Sequence, residues 1–411
     1  MSEISPIHRS GFSQERLSQL SRTLQGYVER GEIAGVVTLL YRHGTLAHMD
    51  TLGWQDREAQ IPMQQDTLFR IASMTKPITT AAALTLVEEG KIHLFDPVDR
   101  WLPELANRVV MCDPNGSPDQ VYPSPRAITL HDVLTYRLGL GWEKTQLFSR
   151  LRALIAAPFA EAAQIEQVEH LDPDAWMARL GELPLLYEPG AHWLYHVASD
   201  ILGVLIARIT GKTLETVLRE RVFEPLGMKD TSFVVPAEKR SRLAALYGSA
   251  PTGGLIVLDS PQKTGWADPP LFASGGAGLV STADDYLHFA RMLLGKGEVD
   301  GVRVLSRKTV EAMTTDFLTP EQHTHPFFGR EIWAQLGFGY GVAVRTRPGG
   351  LGQSAGSFFW PGAFGTAWYA DPQKDLVAIM LLQLNGAVMA DLWLNPIGDD
   401  FVALTYQAIM D

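Results

Sequence analysis

Near the N-terminus the spacing of apolar positions changes period once. After Ser13 they recur at helical spacing, which predicts an amphipathic helix capped by Ser13 and running to about Gly31. Segments 36–41 and 45–54 then read as two strands joined at His43 and Gly44. The far end mirrors this order. Segments 338–345, 357–370 and 376–384 read as three strands, the last two joined around Asp371, Pro372, Gln373 and Lys374, before a terminal helix from about Gly398. Between these ends the pattern is mainly helical. It comprises an apolar run over 78–87 closed by Gly90, a Thr129-capped run to Tyr136, helices over 196–210 and 214–222, and a well-capped helix after Thr282. Long Gly/Pro loops interrupt it, 251–270 among them, and no internal repeat is present. The economical arrangement is an α+β fold (α/β in some schemes). Residues 1–70 and 275–411 form an antiparallel sheet domain flanked by helices, 71–274 an inserted helical domain, and the site lies in the cleft between them.

Composition narrows the partners. The chain has 411 residues, 46% hydrophobic and 20% charged, enough for a sizeable core. Its formal net charge of -11 argues against nucleic acid or an anionic membrane, both of which favour a basic patch. A small-molecule ligand is expected. Residues 1–13 carry no apolar leader run and no segment has the apolar length of a membrane span, so the expected location is cytoplasmic. The single cysteine, Cys112, excludes an internal disulfide; in a stretch broken by Pro and Gly, it reads as an incidental thiol.

The chemistry concentrates at Ser73, Met74, Thr75 and Lys76, heading the 78–87 run. Residues three apart share a helix face, so the Lys76 amine can reach the Ser73 hydroxyl, and serine needs such help to attack a carbonyl. A plain helix cap would explain the serine but not a lysine beside the positive end of a buried helix. Pro77 fits only because it falls in the first turn.

Other patterns fail on context. A second S-x-x-K, Ser260 to Lys263, and a literal Lys263-Thr264-Gly265 lie in the 251–270 loop with no apolar helix behind them. Gly352-Gln353-Ser354-Ala355-Gly356 matches a nucleophile elbow, but no histidine follows His325, so it reads as a glycine-rich turn. No H-E-x-x-H exists, and His323 and His325 read as solvated side chains of a polar loop; neither a metal nor another cofactor is expected.

The Ser73-Met74-Thr75-Lys76 motif and the mixed layout resemble the serine β-lactamase and penicillin-binding-protein superfamily, from about Phe12 to the C-terminal helix and including Gly275 to Leu279. The resemblance implies a β-lactamase/transpeptidase-like fold with two further motifs. Tyr195-His196-Val197, after Glu188-Pro189-Gly190, falls where that family has its tyrosine motif, and Trp360-Pro361-Gly362-Ala363 looks like a W-x-G variant of its K-T-G strand motif. Class C β-lactamases carry Y-x-N and K-T-G, whereas Val197 and Trp360 stand here. Tryptophan offers an apolar face and one N–H where lysine offers charge for a carboxylate, so an uncharged ester is favoured. The pattern is closest to the family VIII carboxylesterases and related acyltransferases.

By that resemblance Ser73, Lys76 and Tyr195 are catalytic, and the backbone N–H groups of Ser73 and Ala363 form the oxyanion hole. Trp360 and Gly362, with Trp142 from the 140–142 loop, border the substrate. The expected reaction is hydrolysis of a carboxylic ester of a small, short-chain acyl group through an acyl-enzyme. Neither Lys76 nor Tyr195 is a good base at its ordinary pKa of about 10, and the residues do not say which takes the first proton. An acyltransferase, a β-lactamase or a D-amino-acid peptidase would use the same site. A non-enzymatic acyl or peptide sensor would need none of the three side chains. Oligomeric state does not follow from the sequence.

Overall fold

A computed structural model of the chain describes residues 10–155, 159–250, 253–327, 329–386 and 396–411. Residues 1–9, where no apolar leader run is expected, and 251–252, at the head of the expected loop, lie outside the described residues.

Helix α1 (Gln14–Glu29) starts where the Ser13 side chain accepts a hydrogen bond from the Arg16 N–H, and it buries Leu17, Leu20, Leu24 and Tyr27 as one stripe. Strands β1 (Gly35–Arg42) and β2 (Thr45–Asp56) follow as the predicted hairpin, with His43 and Gly44 at φ 50° and 73° in its turn. These positive angles match the twist of the paired strands. β3 (Ile61–Pro62) pairs with β2. Helix α2 (Thr75–Glu88) is buried on every side from Thr75 to Leu86, and Gly90, at φ 67°, closes it. Helix α3 (Val197–Thr210) packs against α2 in the central part of the chain.

Helix α4 (Ala283–Leu294), capped by Thr282, leads to β4 (Leu336–Phe338), β5 (Ala343–Arg345), β6 (Phe358–Phe359), β7 (Ala367–Asp371), β8 (Leu376–Leu382) and α5 (Pro396–Gln407). The strands form one antiparallel sheet in the order β4-β5-β6-β7-β8-β1-β2-β3. The two chain ends meet at β1 and β8, registered from Val36 opposite Leu382 to Arg42 opposite Leu376. The alternation of a strand sends neighbouring side chains to opposite faces. Trp368 of β7 thus packs on Tyr286 and Phe289 of α4, whereas Tyr369 packs on Phe401 and Tyr406 of α5. Both faces are covered, and β8 is therefore an unbroken apolar run, buried from Leu376 to Leu382. Among the described residues no helix is long and apolar enough to cross a membrane.

Three predicted segments are corrected. The single strand over 338–345 is two strands, because the Gly339 N–H turns back to the Val342 carbonyl at 2.8 Å. The strand over 357–370 stops after Phe359 and resumes at Ala367, with Trp360 to Thr366 as a loop between. The apolar residues of both breaks, Tyr340, Val342 and Phe364, are buried although they are not in strands, so burial alone concealed the turns. Within the 251–270 loop, Leu255–Asp259 is a strand paired with Leu246–Ser249.

Candidate active site

Ser73 sits in a 3-10 turn, Ala72–Met74, that runs directly into α2. Side chains three apart eclipse in such a turn, which brings Lys76 Nζ to 3.1 Å from Ser73 Oγ. Ala72 before it takes φ 45°, a strained value for a residue with a side chain, and is held there in the core. Pro77 is the third residue of α2, where its missing N–H has no helical partner to lose.

Tyr195 arrives from the segment preceding α3, pinned by a backbone hydrogen bond from the Trp142 N–H to its carbonyl at 2.9 Å. Gly141 permits that approach, since a Cβ there would stand 2.6 Å from Leu194 Cβ and 2.8 Å from the Tyr195 carbonyl oxygen. The Tyr195 hydroxyl donates to Ser73 Oγ at 2.8 Å and accepts from Trp360 Nε1 at 3.2 Å. Turn, helix approach and sheet loop thus converge on one oxygen.

The loop after β6 presses close to the turn that carries Ser73. A Cβ on Gly362 would lie 2.3 Å from the Ile71 carbonyl oxygen, so only glycine lets the two segments touch. Gly362 therefore packs behind the site and does not line the cavity, whereas its neighbour Ala363 does. Among the described residues neither the Ser73 nor the Ala363 N–H is engaged by a backbone acceptor. The cavity, about 350 Å³, is lined by Trp142, Phe148, Phe159, Ile165 and Trp360, by the polar side chains of Arg152 and Asn385, and by Ser73, Tyr195 and His196. A second cavity of about 280 Å³ lies between the sheet and α5, and Ser73 is not among its lining residues.

Electrostatics separates the two candidate bases. Burial pushes the Lys76 ammonium down to about 7, against the opposing pull of the Asp200 charge. Tyr195 moves the other way, up to about 12, because burial outweighs the hydrogen bonds with Ser73 and Trp360. Near neutral pH the lysine can be an unprotonated amine while the tyrosine keeps its proton.

Behind Lys76 lie groups the sequence reading did not assign. Its Nζ donates to the Gly276 carbonyl at 2.6 Å and lies 3.4 Å from His196 Nδ1. His196 Nε2 faces Asp200 Oδ2 at 3.4 Å, and Asp200 Oδ1 accepts from Ser274 Oγ at 2.6 Å and the Gly276 N–H at 3.0 Å. His196 and Asp200 are four apart at the start of α3, a spacing visible in the sequence but mute without Lys76 beside it. Phe148 and Phe159 carried no periodic signal.

The remaining candidates fall elsewhere. His323 is not simply solvated, since its ring nitrogens engage the Trp333 carbonyl at 2.7 Å and Asp316 Oδ2 at 2.9 Å, and His325 tilts against His192. Gly352 to Gly356 forms a turn whose Ser354 N–H donates to Asp371. Lys263, Thr264 and Gly265 lie in a turn, and Thr264 Oγ1 accepts from Arg70. Cys112 is an exposed free thiol. Among the described residues no cluster of His, Cys, Asp and Glu could hold a metal ion.

Comparison with known proteins gives a consistent family. The family model described as Beta-lactamase matches residues 20–395. Protein Rv1367c of Mycobacterium tuberculosis is 43% identical over 366 residues, 86% of this chain and 87% of that protein. Esterase EstB of Burkholderia gladioli is 31% identical over 369 residues, 85% of this chain and 86% of that one. Among solved structures, EstCE1, described as a hydrolase with promiscuous acyltransferase activity, superposes with a TM-score of 0.76 at 25% identity, covering 97% of this chain and 99% of that chain.

Proposed function

The chain belongs to the beta-lactamase family, with the β-lactamase/transpeptidase-like fold, and from that premise we propose that it is a serine carboxylesterase of the family VIII type. The observation that carries this reading is a single oxygen, Ser73 Oγ, held between Lys76 Nζ at 3.1 Å and Tyr195 OH at 2.8 Å.

The neutral Lys76 amine takes the Ser73 proton as Oγ attacks the ester carbonyl. The developing oxyanion is received by the Ser73 and Ala363 N–H groups, where one donor is worth roughly 3 kcal/mol in comparable enzymes. The carbon–oxygen bond to the alcohol then breaks. Tyr195 OH donates to the departing oxygen, and the Lys76 ammonium supplies the proton. Water then attacks the acyl carbonyl as the regenerated Lys76 amine takes its proton, and Lys76 returns that proton to Ser73 Oγ as the bond from Oγ to the acyl carbon breaks.

By the family resemblance Trp360 takes the place of the lysine of the K-T-G motif, and the aromatic part of the lining suits a small uncharged acyl or alcohol group. An alcohol entering in place of water would make the same site an acyltransferase, the second reading, favoured by the aromatic part of the lining and by the double activity in the description of EstCE1. β-Lactam or peptide turnover is the less favoured reading because position 360 supplies no cation, although Arg152 lines the same cavity. The compartment proposed is the cytoplasm, where the exposed Cys112 thiol stays reduced.

The test is the initial rate on p-nitrophenyl butyrate for wild type and Ser73→Ala, with products analysed in the presence of added alcohol. Turnover by the wild type and a loss on the order of 10³-fold or more in the variant is expected. Equal rates would remove Ser73 from the mechanism, and rapid nitrocefin turnover would return the protein to the β-lactamases.

A further inference from the structure

The mechanism above uses Ser73, Lys76 and Tyr195 and leaves one buried titratable pair unexplained. His196 and Asp200 are both buried, and the histidine is held at a conformational cost. His196 takes φ 79° and ψ -64°, and the Val197 N–H closes back on the Tyr195 carbonyl at 3.2 Å, a strained three-residue turn that an ordinary side chain avoids. Its imidazole is stacked on Trp142 at 4.1 Å between ring centroids, and Phe159 covers it at 6.2 Å. A ring so fixed has one orientation, with Nδ1 toward Lys76 and Nε2 toward Asp200.

Two facts set the proton positions. The Asp200 carboxylate accepts from Ser274 and Gly276 and is held below its ordinary pKa: burial pushes it up, but His196, Ser274 and Lys76 outweigh that. The ionised Asp200 carboxylate, 3.4 Å from Nε2, is not aligned for a hydrogen bond, but its charge favours the proton on Nε2 and leaves Nδ1 as an acceptor. Burial holds His196 neutral, and the charge of the Lys76 ammonium, when that form is present, acts in the same direction. A neutral amine has two hydrogens and one lone pair, and three groups surround Nζ: the Gly276 carbonyl, His196 Nδ1 and Ser73 Oγ. Val197, at the third place of the tyrosine motif, offers no polar atom.

We propose that the His196–Asp200 pair positions the lysine base: Gly276 O and His196 Nδ1 accept the two hydrogens of the Lys76 amine, which turns its lone pair onto the Ser73 hydroxyl. His196 acts through Lys76 and is a positioning residue. When Lys76 gains the serine proton the same two acceptors retain their hydrogens, and the third hydrogen is delivered along the Ser73 direction. The titratable groups facing Nζ are Tyr195, His196 and Asp200. The 274–278 loop presents backbone there, and the loop after β6 presents Trp360.

The inference rests on the serine-hydrolase reading, so its test carries a readout independent of substrate. Turnover of p-nitrophenyl butyrate and the rate of Ser73 labelling by a fluorophosphonate are measured across pH for wild type, His196→Asn, His196→Phe, Asp200→Asn and Ser73→Ala, with folding checked by circular dichroism. Asparagine keeps an acceptor and tolerates a positive φ; phenylalanine keeps only the ring. His196→Phe is expected to lose about tenfold to a hundredfold in kcat with KM little changed, and His196→Asn to recover most of it. In His196→Phe the acid limb of labelling should move to lower pH, because the ammonium loses an acceptor. Asp200→Asn should move it the same way, because the ammonium loses a nearby negative charge.

A folded His196→Phe with wild-type kcat and limb overturns the proposal. Equal losses in the Asn and Phe variants with an unmoved limb also overturn it, as a purely structural role would give. Should His196→Phe not fold, an unmoved limb in Asp200→Asn has the same force. Labelling that shifts as expected without ester turnover would leave this inference standing and sink the esterase reading. Undiminished turnover in Ser73→Ala would sink the reading by itself.

Discussion

Six residues apart, and both fully buried, Arg70 and Lys76 are two cations that the fold treats in opposite ways. Arg70 is caged by acceptors. Its guanidinium donates to the Ala244 carbonyl at 2.6 Å, to Gln383 Oε1 at 3.2 Å and to Thr264 Oγ1 at 3.2 Å, and it pairs with the Asp259 carboxylate. Lys76 has no carboxylate in direct contact among the described residues; its neighbours are a carbonyl, an imidazole and the serine hydroxyl. Burial lowers both, but the Asp259 charge and hydrogen bond oppose it at Arg70, whose guanidinium starts far above neutrality, whereas Lys76 falls to about 7. A buried cation given a counter-ion is a structural tie. One denied it becomes a titratable base.

The sharpest way to break this contrast is Lys76→Met, which keeps length and removes the amine. Turnover of p-nitrophenyl butyrate should fall on the order of 10³-fold or more, while urea unfolding shifts by no more than about 1–2 kcal/mol, since a costly buried charge leaves together with its hydrogen bonds. Arg70→Met should do the reverse in kind. It strands Asp259 without its partner, and urea melts should show a loss of about 3–5 kcal/mol. A stable Arg70→Met protein would erase the distinction.

The most gradual effect, smallest per unit of change, lies in the pH dependence of stability. Lys76 binds its proton at about 7 when folded and near 10.5 when unfolded, so between these values the unfolded chain holds more protons and stability must rise with pH. The slope from one group is at most about 1.4 kcal/mol per pH unit. Thermal melts across that window should show it in the wild type, and Lys76→Met should remove that contribution.

Much of this was legible in the sequence where the governing contact is local. The S-x-x-K spacing places Lys76 over Ser73 because three residues make one tight turn, and the His43–Gly44 hairpin follows from adjacent turn chemistry. Tyr195 was found by motif order. Helix Pro173–Gly181, capped by Asp172, had the same kind of signal and was not predicted. The turn at Gly339–Val342 and the loop after Phe359 were hidden because their apolar residues are buried by neighbouring segments, a fact no window of sequence contains.

The chain's own pattern therefore determined the periods of its helices and strands, the caps that start them, and a serine with a lysine three residues on, since each depends on neighbours a few bonds away. The tertiary structure decided what those residues are worth. It set the Lys76 pKa, because desolvation depends on what encloses an amine. It also turned His196 toward that amine and gave Arg70, not Lys76, a carboxylate in direct contact, because those partners come from segments far along the chain.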